Sequence, residues 1–247
     1  DDLYIIGESL DVIYDESGED NVLTSVTFTL QGNSGVENLI LSPSLTGSNA
    51  SISGIGNSLA NSITGNAGNN SLDGGNDTLT DILVGNGGSD SFIGSRSSLA
   101  GDYLQGGSDN DIYYVSTTVD KISDSGGVDS VSSSVSFNLG SSLVNGVEHL
   151  VYTGSSAATL TGNDQDNSLI SQSANADTLI GGGGSDTLRG GGGADSMAGG
   201  LGNDFYVVLT GSEILKENSG EGDADTALVE ISGSSVFFTL TSGSAVE

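Results

Sequence analysis

Aspartates recur at a fixed interval in residues 181 to 207, which read GGGGSDTLR GGGGADSMA GGLGNDFYV. Asp186, Asp195 and Asp204 each close a Gly-Gly-x-Gly-x-Asp loop, and an apolar residue follows two places later, as Leu188, Met197 and Tyr206. Two independent features keep the same nine-residue period, so the stretch is a true repeat. Carboxylates and glycine carbonyls together offer an all-oxygen ligand set. That is the donor chemistry a hard divalent cation takes.

The elements that must position these carboxylates follow from the unit itself. Glycines at positions one, two and four let the backbone turn with φ > 0 at no Cβ cost. The residues after each Asp alternate as in a short strand, which turns Leu188, Met197 and Tyr206 inward. Nine residues then make half a coil, loop plus strand, and two units close one coil. Loops two units apart lie on the same edge, which stacks Asp186 near Asp204 and Asp177 near Asp195. Stacked bare carboxylates repel, and a cation between them relieves the repulsion.

The nonapeptide resembles that of the RTX, or repeats-in-toxin, family, whose units stack as a parallel β-roll. The resemblance implies an all-β chain, a parallel β-roll or β-solenoid with Gly-Asp-rich Ca²⁺-binding turns. It implies several Ca²⁺ ions as the cofactor. Their ligands are expected to be Asp177, Asp186, Asp195 and Asp204, aided by carbonyls such as those of Gly181, Gly183, Gly190, Gly192 and Gly199.

An earlier Gly-rich block carries the same unit in degenerate form. GNSLANSIT at 56–64 and GNAGNNSLD at 65–73 put Asn61 and Asn70 where Asp is expected, so these turns should coil without binding Ca²⁺ well. After Gly74 and Gly75 are inserted, Asp81 and Asp90 recover the position, with Leu83 and Phe92 inward. A second insertion at 94–96 precedes Asp102 and Asp111. These four aspartates are further candidate ligands, in loops displaced by the insertions.

A longer period of about a hundred residues lies over the short one. Asp2, Asp111 and Asp204 each open a DxY strand; DVIYDESGED, DKISDSGGVD and EILKENSGEGD follow, then SVTFTL, SVSFNL and SVFFTL. Segments 3–41, 112–152 and 205–240 are richer in Val, Ile, Phe and Thr and read as longer strands in wider coils. The expected organisation is a long-strand segment at 1–55, the degenerate block at 56–114, a long-strand segment at 115–161, the Gly-rich block at 162–207 and the start of a third long repeat at 208–247. Both ends fall inside a repeat: DDLYII matches the tail of a unit, and Val246-Glu247 matches Val36-Glu37. The expectation is a piece of a longer protein.

Composition narrows the function classes. Lys+Arg number 4 against 33 Asp+Glu, a net charge of −29, which excludes electrostatic binding to nucleic-acid phosphates or anionic lipid. Cys is 0, so disulfides and thiolate zinc sites are excluded. No apolar run reaches the length of a membrane-spanning helix. No Gly-Lys-Ser/Thr phosphate loop occurs, and Thr does not hold a fixed slot that would suit an ice-binding face. His149, the single histidine, aligns in VEHLVY with Asn38 of VENLIL, so it reads as a loop or strand-edge hydrogen-bonding residue and not as a general base. Carboxylate pairs such as Asp15-Glu16 and Glu19-Asp20 read as products of an acidic composition and not as a glycosidase acid and base. The expected role is not enzymatic: an extracellular, cell-surface Ca²⁺-binding structural protein, a surface-layer, adhesin or filament component. It would fold on meeting calcium after type I secretion, with self-association its further partner. The alternative is the secretion and folding module of a secreted enzyme whose catalytic domain lies outside this chain.

Overall fold

A computed structural model describes residues 1–30, 35–43, 49–216, 224–231 and 234–240. Among these residues every regular element is a strand. Two compact units divide the chain, Asp1–Asp129 and Ser130–Glu247. Each is a parallel β-solenoid.

The first unit builds two sheets, and from Asn21–Thr24 onwards each full coil adds one strand to each. One sheet stacks Leu3–Ile6, Asn21–Thr24, Asn38–Leu41, Ser62–Thr64, Ile82–Asn86, Tyr103–Gly107 and Lys121–Ser123. The other stacks Phe28–Thr29, Ser53–Ile55, Ser71–Asp73, Ser91–Ile93 and Ile112–Val115. The second unit follows the same plan. Ser130–Ser133, His149–Tyr152, Ser168–Ser171, Thr187–Arg189, Phe205–Val208 and Asp225–Ile231 form one of its sheets. Phe137–Asn138, Thr159–Thr161, Thr178–Gly183, Ser196–Leu201 and Ile214–Lys216 form the other.

In most strands one large side chain points inward, and register places it on its equivalent in the next coil. Leu39 pairs with Ile63, Ile63 with Leu83, Leu83 with Leu104 and Leu104 with Ile122. Leu169 pairs with Leu188 and Leu188 with Tyr206, while Leu179 pairs with Met197 and Met197 with Leu215. Leu83, Phe92, Leu188, Met197 and Tyr206 are fully buried, as their phase in the nonapeptide predicts. Phe92 and Tyr113 stack with ring centroids 5.0 Å apart. Apolar columns of this kind supply the burial that offsets the conformational entropy of so many glycines.

Two expectations need correction. Strands of the Val- and Phe-rich segments are mostly no longer than those of the Gly-rich blocks: Leu3–Ile6 and His149–Tyr152 have 4 residues, while Thr178–Gly183 and Ser196–Leu201 have 6. In the Gly-rich strands the ladder runs on past the buried residue, pairing Gly182 with Gly200 and Gly183 with Leu201. Glycine lets backbones continue side by side where no side chain has to be accommodated. The exception is Asp225–Ile231, 7 residues long, which pairs antiparallel with Ser234–Leu240 and departs from the parallel plan. The second correction concerns the loops. Left-handed φ falls at positions two and four of the unit, as at Gly182 (115°) and Gly184 (95°), and not at position one. Glycine at position one serves the carboxylate described next. Residues 217–223 of EILKENSGEGD and the Val246-Glu247 pair lie outside the described residues.

Candidate metal centres

Along each loop edge the sixth-position side chains fold inward and tie one coil to the next. In the second unit the Asp186 N–H donates to Asp204 Oδ1 at 2.8 Å, and the Asp177 N–H to Asp195 Oδ1 at 2.8 Å, each 18 residues on. The Asp204 N–H donates in turn to Asp225 Oδ1 at 2.8 Å. In the first unit the same step links Asp81 to Asp102 and Asp102 to Asp120, at 3.0 Å each. It also links Asp90 to Asp111 at 2.6 Å and Asp111 to Asp129 at 2.7 Å. Thus the sequence-predicted ligands do stack two units apart, in columns held by carboxylate-to-amide hydrogen bonds.

None of these aspartates is more than 3% exposed, and Asp195 is wholly buried. Oδ1 has a backbone donor in each case. Oδ2 is different: in Asp90, Asp111, Asp120, Asp186 and Asp195 it is buried and no hydrogen-bond donor reaches it. Position one of the unit explains why the carboxylate can lie there. A Cβ added to Gly181, Gly190 or Gly199 would collide with the carboxylate of Asp186, Asp195 or Asp204 respectively.

Burial, with like charges stacked nearby, disfavours the ionised form of these groups. It pushes Asp81, Asp90 and Asp186 up to about 7, Asp102 and Asp195 to about 6, and Asp111 to about 8. Basic side chains do not relieve the columns. Among the described residues the one side-chain ion pair joins Arg96 to Asp73, at 2.9 Å. Buried carboxylate oxygens, folded over glycine and lacking a donor, are the groups that could hold a hard cation through oxygen.

The structure also sorts the candidates. Asp177 has both oxygens occupied, since Oδ1 accepts the Ala158 N–H at 2.7 Å and Oδ2 the Ser171 hydroxyl at 2.6 Å. Inserted Ser171 therefore closes a position that the spacing alone leaves open. Gly183 and Gly192 donate their N–H groups to Asn163 O and Ser173 O, at 3.0 and 2.9 Å, and an added Cβ on either would face Asp164 or Ala174 of the coil before.

Where Asn replaces Asp, the position closes without an ion. Asn70 Oδ1 accepts the Asn66 N–H at 2.8 Å, and its Nδ2 donates to Ile52 O at 3.0 Å. Asn167 repeats the pattern with the Asn163 N–H at 2.6 Å and Glu148 O at 3.1 Å. Asn61 does so with Asn57 N–H at 2.7 Å and Glu37 O at 3.1 Å. The amide supplies its own donor, which is the physical reason these turns coil without the charge.

Members of the columns that spacing did not reveal are Asp20, Asp120, Asp129 and Asp225. For Asp20 and Asp129 the signal lies in the long period, where Asp20 of DESGED and Asp129 of DSGGVD hold equal places. His149 opens its strand opposite Ser168, at the place where Asn38 opens its own.

The family model for the RTX calcium-binding nonapeptide repeat (4 copies) matches at residues 55–92, 77–97, 100–122 and 171–206. The chain carries RTX calcium-binding repeats. No curated protein matches it. Calcium is the cation of RTX repeats, and the donor set found here fits it, being made of oxygen throughout. The RTX β-roll is a structural calcium-binding module. The matched stretches contain Asp81, Asp90, Asp102, Asp111, Asp177, Asp186, Asp195 and Asp204 and leave out Asp2, Asp15, Asp20, Asp124, Asp129 and Asp225.

Proposed function

We propose that the chain is a non-catalytic structural element that folds by binding Ca²⁺ outside the cell, after type I secretion, as part of a surface layer, adhesin or filament. The observation that carries this reading is the set of buried Oδ2 atoms without donors in Asp90, Asp186 and Asp195. Such an atom costs free energy in any dry fold, and a bound cation turns the cost into a gain. Asp81, Asp90, Asp102, Asp111, Asp186, Asp195 and Asp204 are the proposed ligands, with carbonyls of the adjoining glycines, and Asp177 is the weakest of the set. A cation that binds only the folded coils stabilises them by mass action. Low Ca²⁺ inside the cell keeps the chain extended, and millimolar Ca²⁺ outside lies in the range of weak extracellular modules. Recurrence of the long repeat supports an extended array over a single compact folding module appended to an enzyme.

Circular dichroism during a Ca²⁺ titration, after chelation, tests the coupling. At pH 8 the β-signal should be small without Ca²⁺ and rise cooperatively with it; a fully formed signal in chelator at that pH would sink the idea. Asp186→Asn with Asp204→Asn should raise the Ca²⁺ midpoint several-fold. Glu8→Gln with Asp11→Asn, at exposed positions, should leave it unchanged.

A further inference from the structure

Asp111 belongs to a second arrangement that the nonapeptide does not describe. One carboxylate oxygen from each of Asp111, Asp124 and Asp129 lies within 4.8 Å of the other two, and all three residues are buried. Oxygens on opposite sides of one Ca²⁺ stand about 4.6 to 5.2 Å apart, twice the metal–oxygen distance, so the spacing suits one ion. Asp111 is 1% exposed, and no donor reaches its Oδ2. That atom, Asp124 Oδ2 and the Tyr113 hydroxyl converge on the space that a Cβ on Gly106 would fill. Tyr113 donates to Asp124 Oδ2 at 2.5 Å and the Gly126 N–H to Asp124 Oδ1 at 3.0 Å. Both bonds fix the Asp124 carboxylate towards Asp111.

The same construction occurs a second time. Asp2, Asp15 and Asp20 also bring one oxygen each within 4.8 Å, with the intervals of Asp111, Asp124 and Asp129. Tyr4 donates to Asp15 Oδ2 at 2.5 Å, and the Ser17 N–H to Asp15 Oδ1 at 2.9 Å. The Asp2 N–H donates to Asp20 Oδ1 as the Asp111 N–H does to Asp129 Oδ1. Gly18 and Gly127, three residues after the central Asp, have φ of 131° and 139°. Asp20 is fully buried, again with no donor to Oδ2. The two copies share their spacing and hydrogen bonds and lie on strands of different sheets, although Asp2 is exposed and Asp15 half-buried where Asp111 and Asp124 are buried, so the pattern recurs with the long repeat. Glu217, which stands in the place of Asp124 in the third copy, lies outside the described residues.

We propose that Asp111, Asp124 and Asp129 form a Ca²⁺ site built by the long repeat rather than by a nonapeptide loop, with Asp2, Asp15 and Asp20 as its counterpart. The hydroxyl of the DxY strand sets the carboxylate of the following loop, and the third Asp closes the site from the next coil. Asp124 and Asp129 lie beyond the match to the RTX repeat, so such sites extend cation binding into the segments between the Gly-rich blocks.

The test is a count of bound ions on the full chain, by equilibrium dialysis in saturating Ca²⁺. Asp124→Asn, which keeps an acceptor for Tyr113, should bind one ion fewer per chain than the wild type, and Glu8→Gln should bind the full number. Asp186→Asn in the same assay reports on the nonapeptide sites alone. Loss of an ion there with none lost in Asp124→Asn would overturn this site and leave the calcium reading of the RTX repeats standing. Should Asp124→Asn not fold, crystals of the wild type grown with Tb³⁺ decide the matter: an anomalous peak among the three carboxylates supports the site, and its absence overturns it.

Discussion

A carboxylate and an amide of nearly equal shape do opposite work in these columns. Asn61, Asn70 and Asn167 carry their own donor and close onto a carbonyl of the coil before. Asp90 and Asp186 leave Oδ2 bare at the equivalent place. The difference predicts a pH dependence. Burial raises Asp90 and Asp186 to about 7 and Asp111 to about 8 in the fold, above the ordinary carboxylate value of the unfolded chain. Between the two values the metal-free fold binds more protons than the unfolded chain, so its stability falls as pH rises from about 4 to about 8. Without Ca²⁺ the β-signal should therefore be stronger near pH 4.5 than at pH 8, where only added Ca²⁺ restores it. Circular dichroism in chelator across that range checks the sign, and a metal-free fold that strengthens with rising pH would contradict it.

At the scale of the loop and strand, the nonapeptide separates glycines that turn the chain from glycines that make room. Gly184 has φ of 95°, and an added Cβ would stand 2.5 Å from the Gln165 carbonyl carbon. Gly183 has no such φ, and the nearest atom to its added Cβ is at 3.5 Å. Gly184→Ala should cost about 2 kcal/mol or more, from the left-handed backbone and the clash together. Gly183→Ala should stay within about 0.5 kcal/mol, as a substitution away from strain does. Urea unfolding in saturating Ca²⁺ compares them, and equal costs would show that the fourth position is not the strained one.

For the whole molecule the governing quantity is a net charge of −29, much of it stacked on buried loop edges. Salt screens exposed charges over a Debye length of about 3 Å at 1 M, but it does not supply ligands to a buried oxygen. About 1 M NaCl should fail to fold the chelated chain where millimolar Ca²⁺ succeeds. Mg²⁺ should be far less effective than Ca²⁺ at equal concentration, because it is smaller, holds its waters and demands near-octahedral geometry. Folding in NaCl alone, followed by circular dichroism, would show that general screening suffices.

The nine-residue period, the inward Leu188, Met197 and Tyr206, and the stacking of Asp186 on Asp204 were all legible in the sequence. They depend on local spacing, since a unit of constant length must return each residue type to the same edge or face of the coil. The fate of the individual oxygens was not legible. Ser171 satisfies Asp177, Asn70 closes on Ile52, and Tyr113 turns Asp124 towards Asp111, and two of these three bonds span more than one unit. Strand length was misread for a related reason: pairing with the neighbouring coil carries the ladder through glycine where composition suggests a turn. Composition made Asp15 and Asp20 look like surplus acids in an acidic chain. Only the tertiary structure, by bringing residues 13 and 18 places apart to one point, made them candidate ligands.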